Sequence, residues 1–474
     1  RRSLYAATLL PLTLAACMAT PAPEIATPTP ELPQAFFFKP EGGTGAQLAA
    51  LMPEGDPAYR SLSEAALADG PSLAEAVARI DAARAGARRA GAERLPNIAA
   101  DGDVTRNRIN TAQFGPAGEQ GLIPAEQTSY GVNIVASWDP DIFGRLKAQE
   151  RAALARIDAA SAQAQGVRLS LLAEIAASVT DWRVLDARAE AIKADAAAAQ
   201  ALAGLAKVRE DAGIAPGFDR VRAEATASSS QVRLAALESE RARLIGRLVT
   251  LTGQDGATIR AALAAPVPAL ALPDAPAALP SDLLANRPDV AAAAANLAAS
   301  DADLAAAARA RFPRITLSGV IGLLSFRPED FFNDSIVGTL TAGIAGPLLD
   351  FGRVGAGIDA AAADKRAAFA AYRGAVFTAL GDAEAAYGVV AAADNEARLS
   401  VNERDQLTRA ASIAETRYRA GLASFLEVLE ARRAADASGE RAAAAMGRAA
   451  RARIVLWQAL GGGAAASAAP TDQG

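Results

Sequence analysis

The residue types that most often carry out chemistry are nearly absent from this sequence. Its 474 residues include no histidine and a single cysteine, Cys17. Zinc clusters, Ser-His-Asp or Cys-His catalysis and disulfide frameworks are therefore excluded. Carboxylates remain, but a glycosidase needs two acids converging in a cleft, and the acids here are scattered along helical stretches. The phosphate-binding pattern G-x-x-x-x-G-K-[ST] is absent as well. We expect no enzyme activity, no cofactor and no metal site.

The one cysteine stands in a specific chemical context. Two arginines, a short apolar segment and the small residues "LAA" precede Cys17, which is typical of a secretory signal peptide over residues 1–16. The stretch "LAAC" resembles a bacterial lipobox, in which the cysteine is acylated, for example with palmitate. Met18 after it favours the outer membrane in lipoproteins of this kind. Prolines crowd residues 18–58, so we expect residues 17–70 to form the lipid anchor and an extended tether.

Composition and charge narrow the possible partners. The chain is 51% hydrophobic with only 5% aromatic residues, and its apolar content is mostly alanine, which favours helices packed at close range. The net charge is −5, and no long basic tract is present, so a nucleic-acid partner is not expected. No stretch reaches roughly 18 consecutive apolar residues. If the chain spans a membrane, we expect it to do so with strands.

The chain consists of two copies of one pattern. The tripeptide Phe143-Gly144-Arg145 recurs 208 residues later as Phe351-Gly352-Arg353. Upstream the offset is 217, which relates "ERLPNIAADG" at 93–102 to "ARFPRITLSG" at 310–319. The first copy therefore holds nine more residues, the difference between the two offsets, within the Gly/Pro-rich stretch 107–128. That stretch is predicted to be a loop.

Each copy predicts a leading helix, two strands joined by a loop, a very long helix and a returning helix. "PNIAADGDVT" and "SYGVNIVASW" alternate apolar and polar residues, as in strands with one apolar and one polar face. Only one of 25 prolines, Pro216, lies between residues 141 and 265, and none lies between 348 and 469, which allows unbroken long helices. The predicted ranges are repeat 1 at 71–253 (strands 95–142, long helix 145–208, return helix 217–252), a linker at 254–281, repeat 2 at 282–461 (strands 312–350, long helix 353–417, return helix 424–460) and a disordered tail at 462–474.

Several stretches together carry a family resemblance. They are "ASWDPDIFGRLKAQ", "LPSDLLANRPDVAAAAANLAASDADLAAAARARFPRITLSG", "GPLLDFGRVGAGIDAA" and "RYRAGLASFLEVLEARR". In this order they resemble the TolC-type outer-membrane efflux channels, and especially the NodT- and OprM-like lipoprotein branch that serves resistance-nodulation-division pumps. The likeness covers most of the chain from about Pro71 to Gly461.

The resemblance implies an α+β membrane protein. Three protomers would give four strands each to a twelve-stranded outer-membrane β-barrel, continued by a long periplasmic α-helical coiled-coil barrel. It implies a passive exit duct for small molecules such as drugs and toxic compounds. The implied partners are two further copies of the chain, outer-membrane lipid, a periplasmic adaptor (membrane fusion protein) and an inner-membrane resistance-nodulation-division pump. Trimerisation also has a physical reason, since four strands leave open edges that cost several kcal/mol per unpaired group in lipid.

In such a protein the repeated Phe-Gly-Arg tripeptide lies where a strand is followed by a long helix. The glycines allow the change of direction, the phenylalanines anchor at the boundary, and the arginines bond to carbonyls or neighbouring groups. We expect this structural role rather than ligand binding. The six junction residues are Phe143, Gly144, Arg145, Phe351, Gly352 and Arg353.

The turns at the far ends of the long helices are the expected adaptor contacts. Gly213 and Gly421 suit left-handed helix-ending positions, so part of their role is structural. Pro216 occupies the place of Ser424, so the two tips are not equivalent. The candidate contact residues are Arg209, Ala212, Gly213, Ile214, Arg419, Ala420, Gly421, Leu422, Ala423 and Ser424.

A closed duct needs a constriction, which a ring of three carboxylates can form while favouring cations. Glu415 occupies the place where relatives carry an acidic residue facing the narrowed pore. A solvated surface carboxylate is equally compatible with the sequence. Relatives often have aspartate there, so the ring diameter and selectivity stay open.

Two alternatives remain at this point. A lipid-anchored coiled-coil adaptor or scaffold would also be helical and alanine-rich, but it would not contain strands placed symmetrically in two repeats. Within the family, type I secretion or metal-ion efflux is the closer rival. The absence of histidine and the presence of only three methionines disfavour a soft-metal path. The sequence does not identify the cargo.

Overall fold

The computed structural model describes residues 23–39, 48–116, 120, 124–214, 216–266, 272–281, 286–333 and 336–463. Cys17, the signal peptide and the tail from residue 464 lie outside these ranges. The helices are α1 (Pro57–Asp69), α2 (Pro71–Ala92), α3 (Arg145–Asp211), α4 (Gly217–Thr252), α5 (Gly256–Leu263), α6 (Pro288–Arg309), α7 (Arg353–Arg419) and α8 (Phe425–Ala459). The strands are β1 (Asn97–Arg108), β2 (Glu126–Trp138), β3 (Arg314–Ser325) and β4 (Ile336–Ala345).

The same order of elements occurs twice, as α2-β1-β2-α3-α4 and as α6-β3-β4-α7-α8, so the internal repeat is confirmed. The long helices α3 and α7 contain 67 residues each. By length and composition alone, α7 could cross a membrane. This is weak evidence, because an alanine-rich helix of a coiled coil passes the same test.

The range expected to be an extended tether contains the helix α1. The Asp56 side chain accepts a hydrogen bond from the Ala58 backbone N–H at 2.8 Å, and Pro57 occupies the first helical position. An aspartate N-cap followed by proline is a helix-start signal. The prediction of an extended tether is therefore wrong over Pro57–Asp69, because Pro57 begins a helix there.

Contacts divide the chain into two compact units. The first comprises Asp81–Ala159 and Ala294–Ala371, as far as they are described, together with residues 23–28. It contains the sheet, in which the strands follow the order β1-β2-β3-β4 and every neighbouring pair is antiparallel. The pairing of β2 with β3 joins the two repeats. Among the described residues, no strand pairs with the outer edge of β1 or with the outer edge of β4.

The second unit contains the helices outside those ranges, namely Thr29–Ile80, Ala160–Ala293 and Tyr372–Gly474 as far as they are described. Small residues let its helices approach closely: a Cβ added at Gly447 on α8 would lie 2.5 Å from a Val184 methyl on α3. Arg453 on α8 is 3% exposed and binds both oxygens of Asp394 on α7 at 2.7 and 3.1 Å. It also donates to the Pro273 carbonyl at 2.6 Å and to the Ala449 carbonyl at 3.0 Å, so the guanidinium group has four acceptor atoms.

Candidate functional site

The sheet has one largely apolar and one largely polar face across all four strands, with exceptions that include Val135 and Val320 on the polar face and Arg106 on the apolar face. On one face Ile98 lies opposite Ala136, Ile134 opposite Ile321, and Gly319 opposite Leu340. Apolar side chains on this face are largely exposed within the protomer. The exposed members include Ile98, Val104, Val132, Ile134, Ile321, Ile336, Leu340 and Ile344. An exposed apolar band of this extent suits contact with lipid.

The other face carries polar side chains that bond to one another. Asn133 donates to an Asp101 carboxylate oxygen at 3.4 Å, and Thr105 donates to Asp103 at 2.9 Å. Ser318 lies opposite Thr341 on the second pair of strands. A polar face behind an apolar one is the arrangement of a strand that separates lipid from a water-filled lumen.

The first junction, between β2 and α3, is tightly built. Gly144 has a left-handed φ of +75°, which allows the chain to turn into the helix. Asp141 accepts hydrogen bonds from the Leu146 and Lys147 backbone N–H groups at 2.9 and 2.7 Å. Arg145 donates to the Asp139 carboxylate at 3.3 Å and to the side-chain amide oxygen of Gln149 at 3.2 Å. These contacts fix the direction in which α3 leaves the sheet.

The aromatic residues of the two junctions have different surroundings. Phe143 stacks on Phe312 with ring centroids 5.0 Å apart, whereas Phe351 is 91% exposed. Gly352 is left-handed at +85°, and Phe351 itself also has a positive φ of +52°. Asp350 caps α7, because its carboxylate accepts hydrogen bonds from the Gly352 and Val354 N–H groups at 3.1 and 2.8 Å. Within the described ranges, the exposed Phe351 ring has no aromatic partner of the kind that covers Phe143.

The two tips share one turn geometry. Gly213 and Gly421 are left-handed at +69° and +75°. In both tips the next residue's N–H returns to the last helical turn: Ile214 bonds to the Arg209 carbonyl and Leu422 to the Arg417 carbonyl, each at 2.8 Å. This pattern is a Schellman motif, which leaves the following apolar side chain at the tip. Ile214 and Leu422 are 69% and 70% exposed.

The candidate tip residues differ in how free their side chains are. Arg209 is half-buried, because its guanidinium lies 4.8 Å from the Tyr418 ring and donates to the Tyr418 carbonyl at 3.4 Å. Ser424 accepts a hydrogen bond from the Glu427 N–H at 3.2 Å and caps α8, whereas Pro216 provides no side-chain cap for α4. Ala423 is half-buried. The exposed candidates are Ala212, Gly213, Ile214, Arg419, Ala420, Gly421, Leu422 and Ser424.

Glu415 is held by two arginines. Its side chain is 16% exposed and forms ion pairs with Arg419 on its own helix and with Arg432 on α8. The carboxylate therefore links α7 to α8 within the protomer. Its position in a pore ring depends on the assembled trimer and stays a prediction.

One pair of carboxyl groups was missed from the sequence. Asp195 on α3 faces Asp436 on α8, and burial together with the hydrogen bond and charge of Asp436 raises the pKa of Asp195 to about 7. A signal was available: Ile192, Asp195, Ala199 and Leu202 follow the spacing of a coiled-coil seam, and an acid in such a seam is unusual.

Comparisons with known proteins agree with this architecture. Residues 62–254 and 279–462 match the family described as outer membrane efflux protein. The pyoverdine export outer membrane protein OpmQ of Pseudomonas putida is 30% identical over 466 residues, covering 96% of this chain and 97% of the relative. Nodulation protein T of Rhizobium leguminosarum is 27% identical over 476 residues, covering 97% of this chain and 94% of the relative.

A solved structure of the outer-membrane channel OprN is similar over nearly the whole chain. Its TM-score is 0.81 at 26% identity, and the match covers 94% of this chain and 99% of that one. The predicted fold class and the outer-membrane location are thereby confirmed, and the matched family is one of efflux channels rather than of enzymes. Since the matched ranges include both repeats, the chain belongs to the outer membrane efflux protein family.

Proposed function

We propose that three copies of the chain close one duct that carries small molecules passively across the outer membrane. An inner-membrane resistance-nodulation-division pump drives the cargo, and a periplasmic adaptor connects the pump to the duct. The cargo spectrum, drugs and other toxic compounds, is set mainly by the pump. The exported pyoverdine in the name of one relative is an example of a small-molecule cargo in the family.

The observation that carries this proposal is the four-stranded sheet with an exposed apolar face and two unpaired edges. In a bilayer, unpaired backbone N–H and C=O groups cost several kcal/mol each, so the edges of β1 and β4 must be covered. Pairing β4 of one copy with β1 of the next covers both edges and closes twelve strands in three copies. The polar face, with Asp101 and Asp103, then lines the lumen. A periplasmic scaffold without a pore would have no use for the exposed apolar face.

The tips support the adaptor role. Ile214 and Leu422 are exposed apolar side chains in equivalent turns, and three copies present six such turns at one end of the duct. Exposed apolar residues on rigid turns suit docking of helical hairpins. We propose that these residues, with Ala212, Ala420 and Arg419, contact the adaptor, and that an acyl chain on Cys17 anchors each copy in the membrane.

Conductance of the purified, reconstituted chain tests the proposal. We expect stable single-channel currents in planar bilayers, and a chain that inserts without conducting would overturn it. Glu415→Ala is expected to raise the conductance, because it removes a carboxylate ring and releases Arg432 from α7. The matched control is Glu403→Ala, which breaks an exposed ion pair with Arg441 between the same two helices. Unchanged conductance and cation preference in Glu415→Ala would remove this residue from the gate.

A further inference from the structure

A small enclosed space lies between α3, α4 and α8 in the helical unit. Asp195, Asp436 and Arg432 border it together with apolar side chains that include Leu202 and Phe425. Its volume of about 10 Å³ leaves room for about one water molecule. Two ionised carboxylates cannot be hydrated in such a space.

One oxygen of the Asp195 carboxyl group is reached by no hydrogen-bond donor among the described residues. The Asp195 side chain is 16% exposed, and this oxygen, Oδ2, is buried. Asp436 faces it from the other repeat, and a carboxyl group can donate a hydrogen bond only when it holds a proton. One proton shared by the two carboxyl groups would satisfy the buried oxygen.

The neighbouring arginines pair with other acids through their terminal nitrogens, and the Nε atoms of Arg233 and Arg432 are buried without a partner among the described residues. Arg233 pairs with Glu440, and its nearer nitrogen stays 4.0 Å from Asp195. Arg432 pairs with Glu415. Arg188 on α3 approaches two glutamates at 3.6 and 3.8 Å. The charged groups around the pair are Arg188 of α3, Arg233 and Glu240 of α4, Glu415 and Arg419 of α7, and Arg432 and Glu440 of α8. These four arginines and three glutamates are balanced by one ionised aspartate, so a second ionised aspartate would add an uncompensated negative charge between the repeats.

We propose that Asp195 and Asp436 form a proton-operated latch between the two repeats. A shared proton holds α3 against α8, and its loss separates these helices and widens the periplasmic end of the duct. The link to duct opening rests on the proposed function, whereas the latch itself does not. Because burial and the facing carboxyl group raise the pKa of Asp195 to about 7, loss of the shared proton, and with it release of the latch, is expected around neutrality.

Two measurements on the full-length reconstituted chain test the latch. The first is hydrogen exchange of the backbone amides in residues 190–200 and 430–440 at pH 6 and pH 8, corrected for the intrinsic pH dependence. We expect faster corrected exchange at pH 8, and equal exchange at both values would overturn the latch. This readout needs neither a variant nor a conducting channel.

The second measurement is conductance between pH 5.5 and 8.5. We expect a rise centred near pH 7 in the unmodified chain and no such rise in Asp195→Asn or Asp436→Asn, since an amide mimics the protonated acid. Glu190→Gln is the matched control on α3, because this exposed acid lies five residues earlier and pairs with Lys193. A rise that persists in Asp436→Asn would contradict the latch. If no current flows at any pH, the proposed duct fails, and the exchange measurement still decides the latch.

Discussion

Arginine substituted on one face of β2 should prevent assembly in the membrane, and arginine at the adjacent residue should not. Ile134 lies on the apolar face, opposite Ala100 on β1 and Ile321 on β3, and is 51% exposed within the protomer. A lipid-facing arginine at the middle of a membrane strand costs about 2–4 kcal/mol. Three copies in one barrel raise the penalty to roughly 6–12 kcal/mol per trimer. A penalty of this size is comparable to the whole stability of a typical domain.

Asn133→Arg is the matched control, because this residue faces the other way and lies opposite Asp101. An arginine there meets water and a carboxylate, so we expect near-normal assembly. The assay compares the amount of each variant recovered as folded trimer from lipid vesicles at increasing urea concentration. Equal losses from Ile134→Arg and Asn133→Arg, or tolerance of both, would refute the assignment of the two faces.

Three further predictions concern the helical unit. Asp394→Ala should lower the free energy of unfolding by about 3–5 kcal/mol, because the buried Arg453 charge loses its partner. Glu396→Ala, which breaks an exposed pair with Arg448 between the same two helices, should cost much less, and denaturant midpoints compare the two. Gly447→Ala should lower the free energy of unfolding by about 1–3 kcal/mol, because its new methyl group would overlap α3. Gly439→Ala has open space around its new methyl group and should raise the free energy of unfolding by about 0.5–1 kcal/mol. We expect opposite shifts in the thermal midpoint, and equal shifts would show that α8 does not approach α3 closely at Gly447. Because folding raises the pKa of Asp195, the free energy of unfolding should fall by roughly 2 kcal/mol, after allowance for solvent screening, as pH rises from about 4 to about 7. In urea titrations Asp195→Asn should make the free energy of unfolding depend less on pH. An unchanged pH dependence would contradict the raised pKa.

The repeat and the faces of the strands could be predicted from the sequence because they depend on local periodicity. The duplicated Phe-Gly-Arg tripeptide locates both strand-to-helix junctions, and the apolar–polar alternation with a period of two assigns Ile134 and Asn133 to opposite faces of the sheet. The turn glycines Gly213 and Gly421 could also be predicted, because a left-handed helix end favours glycine.

The remaining features depend on contacts between distant residues, which periodicity does not reveal. Glu415 is engaged by Arg432, 17 residues away on another helix. Phe143 and Phe351 occupy the same position in the repeat, yet Phe143 stacks on Phe312 of the other copy, whereas Phe351 is exposed in the described part of the chain. The Asp195–Asp436 pair joins residues of different repeats, so its pKa could not be predicted from either segment alone.

The central claim is that copies of the chain close a hollow duct, and imaging of single particles in lipid nanodiscs tests it most directly. The account predicts a threefold particle with twelve strands around an open lumen, in which β4 of each copy pairs with β1 of the next. A monomeric particle with bare sheet edges, or a symmetric particle without a lumen, would contradict it.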